Sequence, residues 1–154
     1  LYVPIHSSGC WSFDTYAFRS VATTGTCVVM NLALPFDEAQ ARRRVEELKA
    51  LRPLWLGDYY PLTAINVDEQ HWCGWQLDRP DLGEGCAFLF RRKASPYVAL
   101  HAGLHALDPA DRYEVTFADT GQKRVVTGAE LADLRVELGE PETSALILYR
   151  RLRR

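Results

Sequence analysis

The chain has 154 residues, enough for one compact domain, or for one small domain and part of another. Hydrophobic residues make up 47% and charged residues 25%, as in ordinary globular proteins, and a net charge of -2 gives no electrostatic basis for binding nucleic acid or an acidic membrane surface. No apolar run is long enough to cross a bilayer, which excludes a helical membrane anchor within the sequence. The sequence starts at Leu1 without a signal peptide, so we expect a fragment or an excised domain of a longer polypeptide.

The four cysteines bear on the cellular compartment. They show no C-x-x-C spacing, which disfavours a zinc ribbon or a redox motif. Each lies among apolar residues, where a free thiol packs as a small hydrophobic group. Free thiols suit a reducing compartment, so we expect a cytoplasmic protein, although an even number leaves disulfides open. The cysteines are Cys10, Cys27, Cys73 and Cys86.

Residues 1–56 carry the pattern of one β/α unit. The run from Cys27 to Leu34 (CVVMNLAL) is almost continuously apolar, which predicts a strand buried on both faces, as in a parallel sheet covered by helices. An amphipathic helix is predicted to follow, with Asp37 as its cap, Gln40 as capping-box partner, and an end at Pro53. Since one unit cannot form a sheet alone, we interpret residues 1–56 as the C-terminal remnant of a (β/α)8 barrel.

From Gly57 the period becomes that of short strands. The segment Gly57 to Arg92 predicts three consecutive antiparallel strands with a polar loop between the last two. Apolar and polar residues alternate from Tyr113 to Phe117, as in a half-buried antiparallel strand. We therefore predict a mainly β chain in which residues 57–154 form an antiparallel β-sandwich. Other predicted elements are strands at Tyr97 to Leu104, Lys123 to Val126 and Ser144 to Tyr149, and a helical turn or a loop at Thr127 to Leu134.

Two pairs of polar residues have spacings that are found in metal sites or in catalytic sites. His101 and His105 are four residues apart, like two metal ligands, but no third ligand follows, so we predict neither a metal site nor a cofactor. Asp78 and Asp81 offer two carboxyl groups, as a glycosidase requires. No secondary-structure element is predicted to fix their separation, and turn chemistry in a loop explains both residues better.

Aromatic residues suggest a third kind of site. Trp72 and Trp75, with Tyr59 and Tyr60 nearby, could form a platform on which a sugar ring stacks. Core packing is the favoured interpretation, because an odd spacing directs the two tryptophans to opposite faces of one strand. At most one of them is then expected to be outside.

Three longer segments resemble a known family. These are D.Y.FRS at Asp14 to Ser20, GDYYPLT at Gly57 to Thr63, and W..WQ.DRP..GEG followed by FRR between Trp72 and Arg92. Together they resemble the C-terminal part of the family 36 glycoside hydrolases, the α-galactosidases, over essentially the whole chain. The resemblance implies a (β/α)8 barrel followed by an antiparallel β-domain, and retaining hydrolysis by two aspartates. Both aspartates would precede Leu1, so no residue of this chain is given a catalytic role.

The resemblance also implies substrate-binding residues in the N-terminal part, namely Asp14, Tyr16 and Arg19. A galactoside or oligosaccharide would bind through the missing barrel, and the chain alone is expected to be inactive. No nucleic acid or membrane partner is expected, and the oligomeric state, a homo-oligomer included, stays open. A structural ion pair between Arg19 and Asp14 explains these residues about as well as substrate binding. The alternative function is a non-catalytic carbohydrate-binding or structural β-sandwich module, which has no use for a lone β/α unit.

Overall fold

The computed structural model describes residues 8–21 and 25–152. The chain divides into two compact units, Leu1–Leu56 and Gly57–Arg154. Among the described residues, no helix is both long and apolar enough to cross a membrane.

In its described residues, the first unit has two α-helices and two strands, and the strands run in parallel. Ser8 lies opposite Thr26 and Cys10 opposite Val28, and a helix connects the two strands along the chain. A crossover helix is the usual connection between parallel neighbours. The elements are β1 (Ser8–Cys10), α1 (Thr15–Val21), β2 (Thr26–Val28) and α2 (Glu38–Leu51), followed by a 3-10 turn at Arg52–Leu54.

The predicted helix is confirmed as α2. The Asp37 carboxylate caps it by accepting a hydrogen bond from the Gln40 backbone N–H at 2.9 Å. The helix ends at Leu51, and Pro53 lies in the 3-10 turn that follows. Ala41 is buried in a small core with Cys10, Phe13 and Phe18, against which Phe36 and Leu48 also pack.

The prediction of a fully buried strand from Cys27 to Leu34 is wrong. The strand stops at Val28, and the residues after it are mostly exposed, with Leu34 at 62%. Asn31 explains the early stop, because its side chain accepts the Ala33 N–H at 3.0 Å and its carbonyl accepts the Leu34 N–H at 3.1 Å. An Asx turn of this kind competes with strand pairing.

The second unit is built from two antiparallel sheets. Its elements are β3 (Asp58–Pro61), β4 (Cys73–Arg79), β5 (Glu84–Arg91), β6 (Ala99–Ala102), β7 (Arg112–Phe117), β8 (Gln122–Thr127), α3 (Gly128–Leu131), β9 (Leu134–Glu137) and β10 (Thr143–Arg151). Six strands form one sheet in the order β3-β4-β5-β10-β7-β8, and β6 pairs with β9 in the other. The three consecutive antiparallel strands predicted between residues 57 and 92 are confirmed as β3, β4 and β5.

The core of the second unit lies between these sheets. Leu89, Val115 and Ile147 of the large sheet pack in one buried cluster with Ala102 and Val136 of the small sheet. The mainly β, antiparallel architecture is as predicted and is consistent with a β-sandwich. Tyr113 and Val115 are buried on alternate positions of β7, as their pattern indicates.

Two local predictions in this unit had different outcomes. The strand predicted from Tyr97 to Leu104 is limited to Ala99–Ala102, and β9 was not predicted. The helical turn near Thr127 is present as α3, with a capping box in which Thr127 and Glu130 exchange hydrogen bonds.

Candidate functional site

Arg19, one of the three predicted substrate-binding residues, is buried in an ion pair inside the first unit. Its side chain is 1% exposed, and two parallel bonds join it to Glu47 on α2: Nε to Oε1 at 2.9 Å and Nη2 to Oε2 at 2.7 Å. Arg44 lies 3.2 Å from the same carboxylate. A bidentate geometry of this kind is strong and directional. Arg19 therefore fastens α1 to α2, and Glu47 is a partner that the sequence did not indicate.

Asp14 and Tyr16 lie at the start of the same helix. Asp14 is exposed, and its Oδ1 accepts a hydrogen bond from the Ala17 N–H at 3.0 Å, so the carboxylate caps α1. Its own N–H donates to Ser12 Oγ at 3.0 Å. Tyr16 is half-buried on α1. The three residues share one short segment, and their contact with a substrate stays a prediction.

A buried polar network in the second unit contains residues of the W..WQ.DRP segment. Gln76, fully buried on β4, donates from Nε2 to the Tyr149 hydroxyl at 2.7 Å and to the His105 carbonyl at 3.0 Å. Its Oε1 accepts the His105 N–H at 2.7 Å. The Tyr149 hydroxyl in turn donates to Asp78 Oδ1 at 2.7 Å. The network holds the loop at His105, where Ala106 has a φ of 59°, against the large sheet.

Asp78 is part of β4 and not of a loop, so the explanation of this residue by turn chemistry is wrong. Its side chain is 4% exposed, because the strand directs it towards β10. Burial raises the pKa of the Asp78 carboxyl, and the hydrogen bond from Tyr149 partly opposes that rise. Asp81 does lie in the β4–β5 loop, where its ion pair with Arg79 at 2.7 Å lowers the pKa of its carboxyl.

The space beside Asp78 is too small for a saccharide. It measures about 130 Å³ and is bordered by Tyr113, Tyr149 and Arg151. This is less than half of the lower limit of roughly 300 Å³ for ligand pockets. A shifted carboxyl pKa often marks a catalytic site, but a carboxyl enclosed in this way has no access to a glycosidic bond. The network is therefore structural.

The two histidines with metal-ligand spacing lie in different environments. His101 Nδ1 is 2.8 Å from Asp133 Oδ1, whereas the ring of His105 stacks on Tyr60 with 5.3 Å between centroids. Within the residues that the structure describes, no group of three or more His, Cys, Asp or Glu side chains is placed to hold a metal ion.

Both candidate tryptophans are buried, which confirms the core-packing interpretation. Trp72 belongs to the core between the sheets. Trp75 stacks on Phe88 and Phe90, with ring centroids 5.4 and 5.1 Å away. Their odd spacing accounts for the different surroundings, as predicted, and neither ring is free to form a sugar platform.

A groove in the second unit provides a more accessible surface. It measures about 260 Å³ and lies between the 62–72 segment and the 97–100 segment. We name it the Tyr97 groove, after the aromatic residue that is 63% exposed along it. The side chains that border it include Leu62, Thr63, Asn66, His71, Trp72 and Leu100.

Sequence reasoning missed two residues of the buried network as well as Glu47. Gln76 could have been suspected, because a polar residue inside an otherwise apolar strand must find hydrogen-bond partners. Tyr149 carried no comparable signal, since tyrosine is common in strands.

Comparison with known proteins gives a consistent result for the fold. No family model and no curated protein matches the sequence. Among solved structures, the galactosidase domain of the α-galactosidase–sucrose kinase AgaSK matches with a TM-score of 0.67 and 21% identity, over 83% of this chain and 18% of that one. The chain has the fold of part of a family 36 α-galactosidase.

Other structures with the family 36 fold agree. The α-galactosidase from Lactobacillus brevis covers 90% of this chain, with a TM-score of 0.69, 15% identity and 20% of its own length matched. The family 36 α-galactosidase AgaA from Geobacillus stearothermophilus, in complex with raffinose, gives a TM-score of 0.64 and 19% identity over 83% of this chain and 18% of its own. The chain thus spans about a fifth of the length of these enzymes, consistent with their C-terminal portion.

Proposed function

We propose that this chain is the C-terminal portion of a retaining, family 36-type glycoside hydrolase that acts on α-galactosides. In this proposal the first unit is the last β/α portion of the catalytic barrel, and the second unit is the β-domain that follows it. The fold shared with family 36 α-galactosidases over 83–90% of the chain is the observation that carries the proposal. The catalytic pair of aspartates would be supplied by another part of the polypeptide.

The first unit supports the barrel assignment. The parallel β1–β2 pair with α1 as its connection and α2 after it is the repeating element of a (β/α)8 barrel. The apolar residues exposed after β2, such as Val29 and Leu32, are the kind of surface that further strands and helices would cover. A free-standing sandwich module has no need of such an element.

Arg19 fits a positioning role in this proposal. Loops at the carboxyl ends of barrel strands build the active site, and residues 11–14 follow the carboxyl end of β1. The bonds from Arg19 to Glu47 fix α1, and the Asp14 cap fixes the junction between that loop and the helix. Arg19 would thus act on substrate through the loop and not by contact.

The activity of the chain tests the catalytic part of the proposal. Retaining hydrolysis needs two carboxyl groups about 5–5.5 Å apart in an open cleft. We expect no turnover of an aryl α-galactoside by the purified 154-residue chain, and turnover by a longer natural polypeptide that contains it. Turnover by the chain alone that Asp14→Asn abolishes would contradict the proposal. So would a longer polypeptide that is folded but inactive on every α-galactoside.

A further inference from the structure

The Tyr97 groove has two walls, and hydrogen bonds hold each of them in place. On one side, the Trp72 indole Nε1–H donates to the Tyr97 carbonyl at 2.9 Å, and the Leu138 N–H donates to the Val98 carbonyl at 2.9 Å. These bonds use the backbone of residues 97 and 98 and leave the Tyr97 ring exposed. The Tyr97 side chain is therefore exposed to solvent, on a backbone that hydrogen bonds hold in place.

The opposite wall is also fixed. The Leu62 N–H donates to the Gly74 carbonyl at 2.9 Å, and the Gly74 N–H donates to Thr63 Oγ1 at 3.1 Å. Arg92 donates to the carbonyls of Asn66 and Val67, at 3.2 Å each. Because both walls are held before any ligand arrives, binding would cost little ordering of the protein.

The size and lining of the groove limit what it can accept. The groove measures about 260 Å³, which is close to the lower limit of roughly 300 Å³ for ligand pockets and suits a small ligand. The groove combines an exposed aromatic ring with polar groups from Asn66 and His71 on a mostly apolar lining. A sugar ring matches this combination, because its C–H face packs on an aromatic ring while its hydroxyls meet amide and imidazole groups.

We propose that the Tyr97 groove is a non-catalytic saccharide-binding site, with the ring of Tyr97 as its stacking surface. The choice of α-galactosides as ligands rests on the proposed function, whereas the groove itself does not. Such a site would hold a remote part of an oligosaccharide chain on the β-domain. It would raise the local concentration of substrate near the catalytic barrel without contributing to bond cleavage.

The Trp72 indole N–H is a direct reporter of this site, because its acceptor is the carbonyl of Tyr97. The experiment titrates the ¹⁵N-labelled 154-residue chain with raffinose and stachyose, the saccharides in two of the AgaA complexes. We expect the indole signal of Trp72 to shift and to saturate. Tyr97→Ala should weaken binding about fivefold or more, the worth of one aromatic contact, whereas Tyr97→Phe should preserve it.

Two controls check that the variant is folded and that the effect is specific to Tyr97. Tyr97→Ala leaves the backbone acceptor of Trp72 in place, so the variant should fold, and the unshifted amide spectrum of its sheets checks this. Trp11, 76% exposed in the first unit, is the matched aromatic control, and Trp11→Ala should leave the titration unchanged. The proposal is overturned if neither saccharide shifts the Trp72 signal, or if the shift survives Tyr97→Ala or is lost in Trp11→Ala. None of these outcomes bears on whether a longer polypeptide hydrolyses α-galactosides, so the two proposals can fail separately.

Discussion

Removal of the Tyr149 hydroxyl tests the buried network through its pH dependence. Tyr149→Phe deletes the hydrogen bond to Asp78 and the acceptor for Gln76. A bond to a charged group contributes about 1.5–3 kcal/mol and a neutral one about 1 kcal/mol. At pH 7 the variant should therefore lose about 3 kcal/mol of unfolding free energy.

The sign of the pH effect follows from the pKa of Asp78. Burial raises that pKa in the folded state, so the stability contributed by Asp78 is fully present below its unfolded-state pKa and is lost as pH rises through the folded-state pKa. The bond from Tyr149 opposes the rise. Without this bond the folded-state pKa of Asp78 climbs further, and the variant loses more stability between acid and neutral pH than the unmodified chain does.

Urea denaturation at pH 7 and below the unfolded-state pKa of aspartate, about 3.9, measures the difference. The cost of Tyr149→Phe should fall to about 2 kcal/mol at the lower pH, where the carboxyl is protonated and both lost bonds are neutral ones of about 1 kcal/mol each. In an Asp78→Asn background, where both lost bonds are neutral at either pH, the cost should stay at about 2 kcal/mol and not change with pH. Tyr113→Phe is the matched control, because the Tyr113 hydroxyl is a neutral acceptor for the Asp108 N–H at 3.1 Å. Equal costs of Tyr149→Phe at both pH values, or a cost no larger than that of Tyr113→Phe, would refute the reasoning.

Three further outcomes follow from the geometry. Burial raises the pKa of the Cys86 thiol to about 12. Iodoacetamide at pH 8 should therefore label the exposed Cys27 first and Cys86 only after unfolding, as measured by mass spectrometry. Early labelling of Cys86 would show that the sheet opens readily. Gly85→Ala should lower the unfolding free energy by about 2–3 kcal/mol or more, because a Cβ at that position would meet the ring of Tyr149. Gly139→Ala is the control and should be nearly neutral in thermal unfolding, because a Cβ there has open space. Glu47→Gln removes the counter-charge of the buried Arg19 guanidinium and should lower the unfolding free energy by about 3 kcal/mol. We expect faster amide hydrogen exchange in α1 as a result. Unchanged exchange would show that the ion pair does not hold that helix.

How far the sequence predicts the fold depends on how local each signal is. The helix α2 was predictable because its cap, apolar face and proline stop all lie within a few turns of one another. The exposure of Cys27 to Leu34 was not, because the burial of a strand depends on neighbours far away in the chain. The short strand β9 carries only two buried residues, Leu134 and Val136, too few to establish a period.

The residues of the candidate site also differ in whether their contacts are local in sequence. The helix cap by Asp14 is local, whereas Arg19 meets a carboxylate 28 residues away. Gln76 and Tyr149 are 73 residues apart. A single sequence can show that a buried polar residue needs a partner, but not which residue supplies it.

The residues that made the resemblance specific are mostly structural ones. Gln76 and Asp78 belong to the buried network, and Gly85 leaves room for the ring of Tyr149. Arg91, from the FRR segment, donates to the carbonyls of Leu138 and Ser95 and is itself buried. Such residues identify a fold because few side chains satisfy the same buried contacts. They say little about chemistry, so evidence for saccharide binding has to be sought at exposed positions, such as those of the Tyr97 groove.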